Sequence, residues 1–392
     1  MSALGRALLG AAGVGLVAEL TARWWIRRRG AYYRYTPHVR ERHEIDGEAM
    51  PSVPPVAHVE INRDGERGDP PPGDGERAFR ALVVGGSAAE CYYLDQQDTW
   101  PAVAQRVLRQ PEQLAALGVS RVHVGNVARA ILPCQELELM LRLMLPRYRR
   151  LDAVLIMVGA SDLVRWMEQG MPDPIPERPP ELSRLFEQHP EGPWGLRPSQ
   201  TALWRIASGL NRRLRRPVVT RPRSGSWLHR VRKMRANAPH MIDAEPDATA
   251  MLDHFERHLT ALVRTARTRA SRVILVRQPW LGAPLSPAAE AMLWNFGLGR
   301  PYREEVTTYF TTRIVDQLMR RVDARAVAVA VATGAEQLDL MPWLERSPRT
   351  FYDYLHLTPQ GAEAVGRAVA AVIAGPVTPA GSPASGQPHQ KR

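Results

Sequence analysis

Five short segments of this chain read as strands, four of them ending in a turn, and amphipathic stretches lie between them. Phe79–Val84 runs into Gly85-Gly86-Ser87, and Val119–Val124 ends at Gly125. Ala153–Val158 runs into Gly159-Ala160-Ser161-Asp162, Arg272–Val276 ends at Gln278-Pro279, and Glu336–Leu340 is the fifth run. Between them, Asp98-Thr99-Trp100-Pro101 opens a helix, with Asp98 as candidate N-cap and Pro101 suited to the first turn. Helical patterns also cover Leu137–Leu145, Val306–Ala332 and Pro359–Ile373. Continuous apolar strands alternating with helices predict an α/β fold: a three-layer α/β/α sandwich around a central parallel five-stranded sheet. In such sheets function gathers beyond the C-terminal strand ends, where these glycine turns fall.

The flanks read differently. Ala7–Ile26 is an apolar or small-residue run broken by Glu19 and Arg23 and followed by Arg27-Arg28-Arg29. Its length suits a membrane span, and Trp24 and Trp25 beside the arginines suit an interfacial anchor, so residues 1–29 are expected to be a retained membrane anchor or signal-anchor helix. A helix lying on the membrane or packing on the domain is the alternative. By the positive-inside rule the arginines favour a cytoplasmic domain. Residues 30–77, rich in Pro, Gly and charge, read as a linker or lead-in, and 376–392 as a disordered tail. The body, 78–375, carries a Pro/Arg-rich insertion at about 170–250. From Gly192 to Ile242 this insertion has twelve Arg or Lys residues and no Asp or Glu, matching the formal charge of +12 for the whole chain.

Two cysteines, Cys91 and Cys134, exclude a disulfide framework and a four-cysteine zinc site; they are expected to be buried thiols, or a single bridge outside the cytosol. His254 and His258 stand at i, i+4, but the intervening Phe255-Glu256-Arg257 is not the metalloprotease pattern, so a solvated helix face is expected and no metal. No phosphate-binding glycine loop or dinucleotide fingerprint occurs, and no cofactor is expected. Trp194, Trp204 and Trp227 interleave with the basic block, a pattern open to single-stranded nucleic acid; an anionic bilayer or acidic polymer accounts for it better beside the apolar N-terminus.

Two motifs carry chemistry. Ser87 follows a strand through two glycines, which let backbone turn sharply and approach a substrate. Asp353 and His356, three apart in Phe351-Tyr352-Asp353-Tyr354-Leu355-His356, can share one face of a turn, so that the carboxylate holds one ring nitrogen and leaves the other for a serine. Either motif alone is weak; together on strand ends they suggest a nucleophile, a base and its orienting acid.

The ordered set VVGGSAAECYYLDQQDTWP, VHVGNVA, LDAVLIMVGASDL and YDYLHLTPQGAEAVG resembles blocks I, II, III and V of the SGNH/GDSL hydrolases over roughly 78–375. Upstream, Asn62-Arg63-Asp64-Gly65-Glu66-Arg67-Gly68 is similar to a lead-in of envelope-anchored members. A catalytic domain on the extracytoplasmic side of the membrane is the expectation, set against the cytoplasmic one that the arginines favour, and the two orientations stay open. The resemblance implies a flavodoxin-like sheet and an esterase acting on acyl esters, O-acetyl glycan or lipid among them, through Ser87 as nucleophile, His356 as base and Asp353 as its partner. A related acyltransferase or a non-catalytic glycan- or lipid-binding member is the rival. The backbone of Ser87 and Gly125 would donate to the oxyanion. Where the family has a third donor, an asparagine, this chain has Ser161, and nearby Asn126 is the candidate replacement.

Overall fold

The computed structural model describes residues 2–73, 75–177 and 180–375. Its centre is a five-stranded, all-parallel sheet of β1 (Ala78–Gly85), β2 (Arg121–Asn126), β3 (Leu151–Met157), β4 (Ala270–Val276) and β5 (Glu336–Leu338). The order is β5-β4-β3-β1-β2, the flavodoxin-like arrangement, in which the connection changes direction beside β1. In β3 only Asp152 escapes full burial, because helices cover both faces. Trp100–Leu108 packs with Pro359–Ala374, and Cys134–Met144 and Thr312–Thr333 pack against Thr249–Arg267.

All five expected strands form, with ends shifted by up to two residues. The cap of Trp100–Leu108 is Thr99, not Asp98: Thr99 Oγ1 accepts from the Ala102 N–H at 3.4 Å, while Asp98 belongs to a preceding short turn, Gln96–Asp98. The expected helix 306–332 begins only at Thr312, because Thr308–Phe310 forms a small parallel pair with His240–Ile242.

Residues 30–77 are not a linker. Arg40–Ile45 and Val56–Glu60 form an antiparallel pair, joined in parallel by Val218–Ser224 from the basic insertion. Charged residues alternate there with buried His43, Ile45, Ala57 and Val59, which hides the strand signal in a polar average. Residues 62–68 then lie along the outer edge of β2, where Arg67 and Asn126 exchange both backbone hydrogen bonds at 2.9 and 3.0 Å.

The N-terminal run is helical, Ala3–Arg29, but no helix among the described residues is long and apolar enough to cross a membrane. Glycine and alanine dilute its hydropathy, and Glu19 and Arg23 interrupt it. Those charges are used within the protein: Glu19 pairs with Arg23 at 2.6 Å and accepts from the Ala202 and Leu203 N–H groups at 2.8 and 3.1 Å, capping helix Ala202–Arg215. Both cysteines are buried free thiols, and burial pushes Cys91 up to about 11. The His254 and His258 rings stand 4.3 Å apart, and no third ligating side chain joins them among the described residues. The expected tail, 376–392, lies outside the described residues.

Candidate active site

The turn after β1 is forced by close backbone contacts. A Cβ on Gly85 would stand 2.3 Å from the Met157 carbonyl oxygen, and one on Gly86 would stand 2.5 Å from Ser161 Oγ. Glycine is therefore the residue that lets Ser87 open the one-turn helix Ser87–Glu90 at the end of the sheet. Its N–H sits in the first turn, where backbone donors have no intrahelical partner.

Asp353 and His356 come from the loop before Pro359–Ala374, a helix that Thr358 caps onto Gly361 at 3.2 Å. The loop is closed by the Phe351–Leu357 bridge and by Tyr352 N–H donating to the His356 carbonyl at 3.0 Å. Asp353 Oδ1 accepts from the Leu355 and His356 N–H groups, each at 2.9 Å. Asp353 Oδ2 meets His356 Nδ1 at 2.7 Å, and His356 Nε2 meets Ser87 Oγ at 2.7 Å. The Tyr352 ring lies flat on the imidazole, with centroids 5.5 Å apart and an interplanar angle of 10°.

Burial opposes ionisation of Asp353, but the His356 charge, its ring hydrogen bond, the Leu355 N–H and the Trp294 indole outweigh it and hold the carboxyl at about 2. Burial pushes His356 down, and the Asp353 carboxylate more than reverses this, so the imidazole lies above its ordinary value. An imidazole fixed by a carboxylate, with its other nitrogen on a hydroxyl, can accept that hydroxyl's proton during attack.

The three expected oxyanion residues separate. Ser161 begins helix Ala160–Glu168 and faces the same cleft as Ser87. Gly125 does not line that cleft: it lies within β2, in register with Leu82, and a Cβ there would meet Glu66 Oε2 at 2.3 Å. The strand runs one residue further than its glycine suggested, so this residue serves packing. Asn126 is likewise withdrawn. Its amide donates to the Ala89 carbonyl at 2.8 Å and accepts from the Ala128 N–H at 2.9 Å, bracing the back of the Ser87 helix.

The cleft measures about 690 Å³. It is lined by Ser87, Ser161 and His356, by Val39, Val59 and Arg221 from the hairpin region and the insertion strand, and by Trp227 and Trp294. Four further residues shape the site, and the sequence alone assigns none of them a role. Trp294 donates to Asp353. Ile131, a β-branched residue at φ +68°, lines the cleft in a backbone state that such residues rarely adopt. Glu90, one helical turn past Ser87, accepts from the Ala130 N–H at 2.7 Å and so holds the Ile131 turn against the Ser87 helix. Arg67 grips the carbonyls of Glu90, Cys91 and Leu94 at 2.9, 2.8 and 2.6 Å. The i+3 spacing from Ser87 could have flagged Glu90; nothing local flags Trp294.

No protein-family model matches the chain, and no curated protein matches it in sequence. Solved structures similar to it include a protein of the G-D-S-L lipolytic family from Desulfitobacterium hafniense DCB-2, at 12% identity and TM-score 0.39, covering 75% of this chain and 99% of that one. An acetylxylan esterase from Geobacillus stearothermophilus is 14% identical at TM-score 0.39, covering 77% and 94%. A lipase/acylhydrolase from Enterococcus faecalis is 14% identical at TM-score 0.38, covering 76% and 96%. In the order of its motifs and of its strands, the chain is similar to the SGNH/GDSL hydrolases.

Proposed function

We propose that this chain is a serine esterase that hydrolyses acyl esters through an acyl-Ser87 intermediate. Ser87 Oγ attacks the ester carbonyl while His356 Nε2 takes its proton, and Asp353 stabilises the imidazolium. The tetrahedral intermediate collapses as His356 protonates the departing alcohol. A water, deprotonated by His356, then releases the acid and restores Ser87. Ser87 N–H and Ser161 are the candidate oxyanion donors.

The single observation that carries this reading is the unbroken relay Ser87 Oγ–His356–Asp353, with 2.7 Å at both links, opening on a cleft. A scaffold that only binds glycan or lipid has no use for such a relay. The cleft is larger than an acetyl group needs, which favours a bulkier acyl chain or alcohol. Purified protein should turn over a short-chain nitrophenyl ester and take up a serine-directed fluorophosphonate at Ser87. Ser87→Ala should lose both while melting at the same temperature. A folded Ser87→Ala variant with full turnover would falsify the triad.

A further inference from the structure

We propose that helices Ala3–Arg29 and Ala202–Arg215 form a platform that lies in the surface of an anionic phospholipid bilayer without crossing it. The second helix is amphipathic but faces the wrong way for a soluble protein. Leu203, Ile206, Leu210 and Leu214, at i, i+3, i+7 and i+11, make one stripe, and all four are exposed, Leu210 at 56% and Leu214 at 73%. Of this helix only Ala202 is buried. Its opposite, polar face turns inward: Arg205 donates to the His189 carbonyl at 2.6 Å and lies over the Trp194 ring, and Arg212 is half-buried. In water, an amphipathic helix buries its apolar stripe against its own domain. An outward stripe of this length marks a surface that is covered in use.

The first helix packs beside it and adds exposed apolar side chains. It docks on Ala202 through Ala22 and Ile26, leaving Leu9, Leu16, Leu20 and Trp24 exposed. Arg28 and Arg29 lie over the rings of Trp24 and Trp25, the pairing of aromatic and cation that suits the headgroup layer. The charge decides the occupant. The segment Gly192–Ile242, which contains the outward stripe, has twelve basic residues and no acidic one. A second copy of the chain would bring like charge against like charge, whereas anionic headgroups would neutralise it while the leucines enter the acyl boundary. From Arg215 the chain runs into strand Val218–Ser224, whose Arg221 lines the catalytic cleft, so docking here would bring that cleft towards the bilayer surface.

The test is sedimentation of the full-length protein with vesicles of phosphatidylcholine alone or with about a quarter phosphatidylglycerol. The protein should pellet with the anionic vesicles and far less with the neutral ones. Leu210→Glu combined with Leu214→Glu should weaken that binding by about tenfold or more, with an unchanged melting temperature. Binding by this variant equal to that of the native chain would overturn the proposal. So would native protein that stays in the supernatant with anionic vesicles, or a stable dimer in light scattering that the same two substitutions dissolve.

Discussion

Trp294 donates its indole N–H at 2.8 Å to Asp353 Oδ2, the same oxygen that meets His356 Nδ1 at 2.7 Å. Trp294 is itself held edge-on by Trp227, at 4.9 Å and 87°, and Trp227 Nε1 donates to the Tyr93 hydroxyl at 3.0 Å. The basic insertion therefore reaches Asp353 through two tryptophans. Trp294→Phe keeps the ring packing and deletes the donor. We expect kcat to fall about tenfold, roughly 1.4 kcal/mol of barrier, with KM little changed. A change confined to KM would show that Trp294 shapes the cleft and does not position the acid.

The pH profile should have one acid limb that belongs to His356. The base must be neutral to accept the Ser87 proton, so kcat/KM should fall as pH drops through a midpoint above the ordinary imidazole value of about 6.5. Asp353, held at about 2, stays ionised throughout and cannot be the source. Stability runs the other way. The folded state binds the His356 proton more tightly than the unfolded chain, so the pair stabilises most below about pH 6.5, and this contribution is lost as pH rises through the raised folded value. Asp353→Asn should move the activity limb down. A limb that stays in place in that variant would assign it to another group.

Arg67→Lys should cost stability as well as rate. One planar guanidinium serves three buried carbonyls, those of Glu90, Cys91 and Leu94, and a lysine cannot reproduce that fork. Leaving even two of these acceptors unpartnered predicts a loss of about 3 kcal/mol or more in chemical unfolding. Turnover should fall in parallel, because the gripped carbonyls follow directly on the helix that Ser87 opens. A variant as stable as the native protein would mean that these carbonyls find other donors.

Ser161→Asn should raise turnover of a simple ester by about tenfold. The serine faces the cleft beside Gly86 with a short hydroxyl, whereas an amide extends further towards the developing charge. Asn126 is not positioned to compensate, since both ends of its amide are engaged behind the helix. Asn126→Ala should therefore lower the melting temperature. A slower Ser161→Asn enzyme, alongside an Asn126→Ala variant that loses rate but keeps its stability, would reverse these two assignments.

The sequence made some of this legible for physical reasons. Strands buried on both faces read as apolar runs, which makes β1, β3 and β4 legible, as are the turns that bring Ser87, Asp353 and His356 to one end of the sheet; β2 and the three-residue β5 carry polar residues and are legible from their place between helices. Half-buried strands are not visible in this way: Arg40–Ile45, the central strand of the small sheet, hides its inward His43 and Ile45 among charges, and the segment reads as a linker. Gly125 reads as a turn residue because a glycine in a strand looks like one just beyond it; only the pairing with Leu82 separates the two. The helix at Ala3–Arg29 was legible as a helix, but the partner that uses Glu19 lies some 180 residues away, at Ala202. Trp294 lacks any periodic signal, because its role is set by a loop that packs on the insertion.

The backbone exchange between Arg67 and Asn126 has a practical consequence for handling this protein. β2 is the last strand of the sheet on its side, and an uncovered last strand offers its free N–H and C=O groups to any other chain. Residues 62–68 occupy that position. A fragment begun at Ala78, where the family-like motifs start, would contain Ser87, Asp353 and His356 and yet present a bare strand to its neighbours. We expect such a fragment to self-associate during expression, and one begun before Val39, which keeps the hairpin and the segment behind it, to stay dispersed.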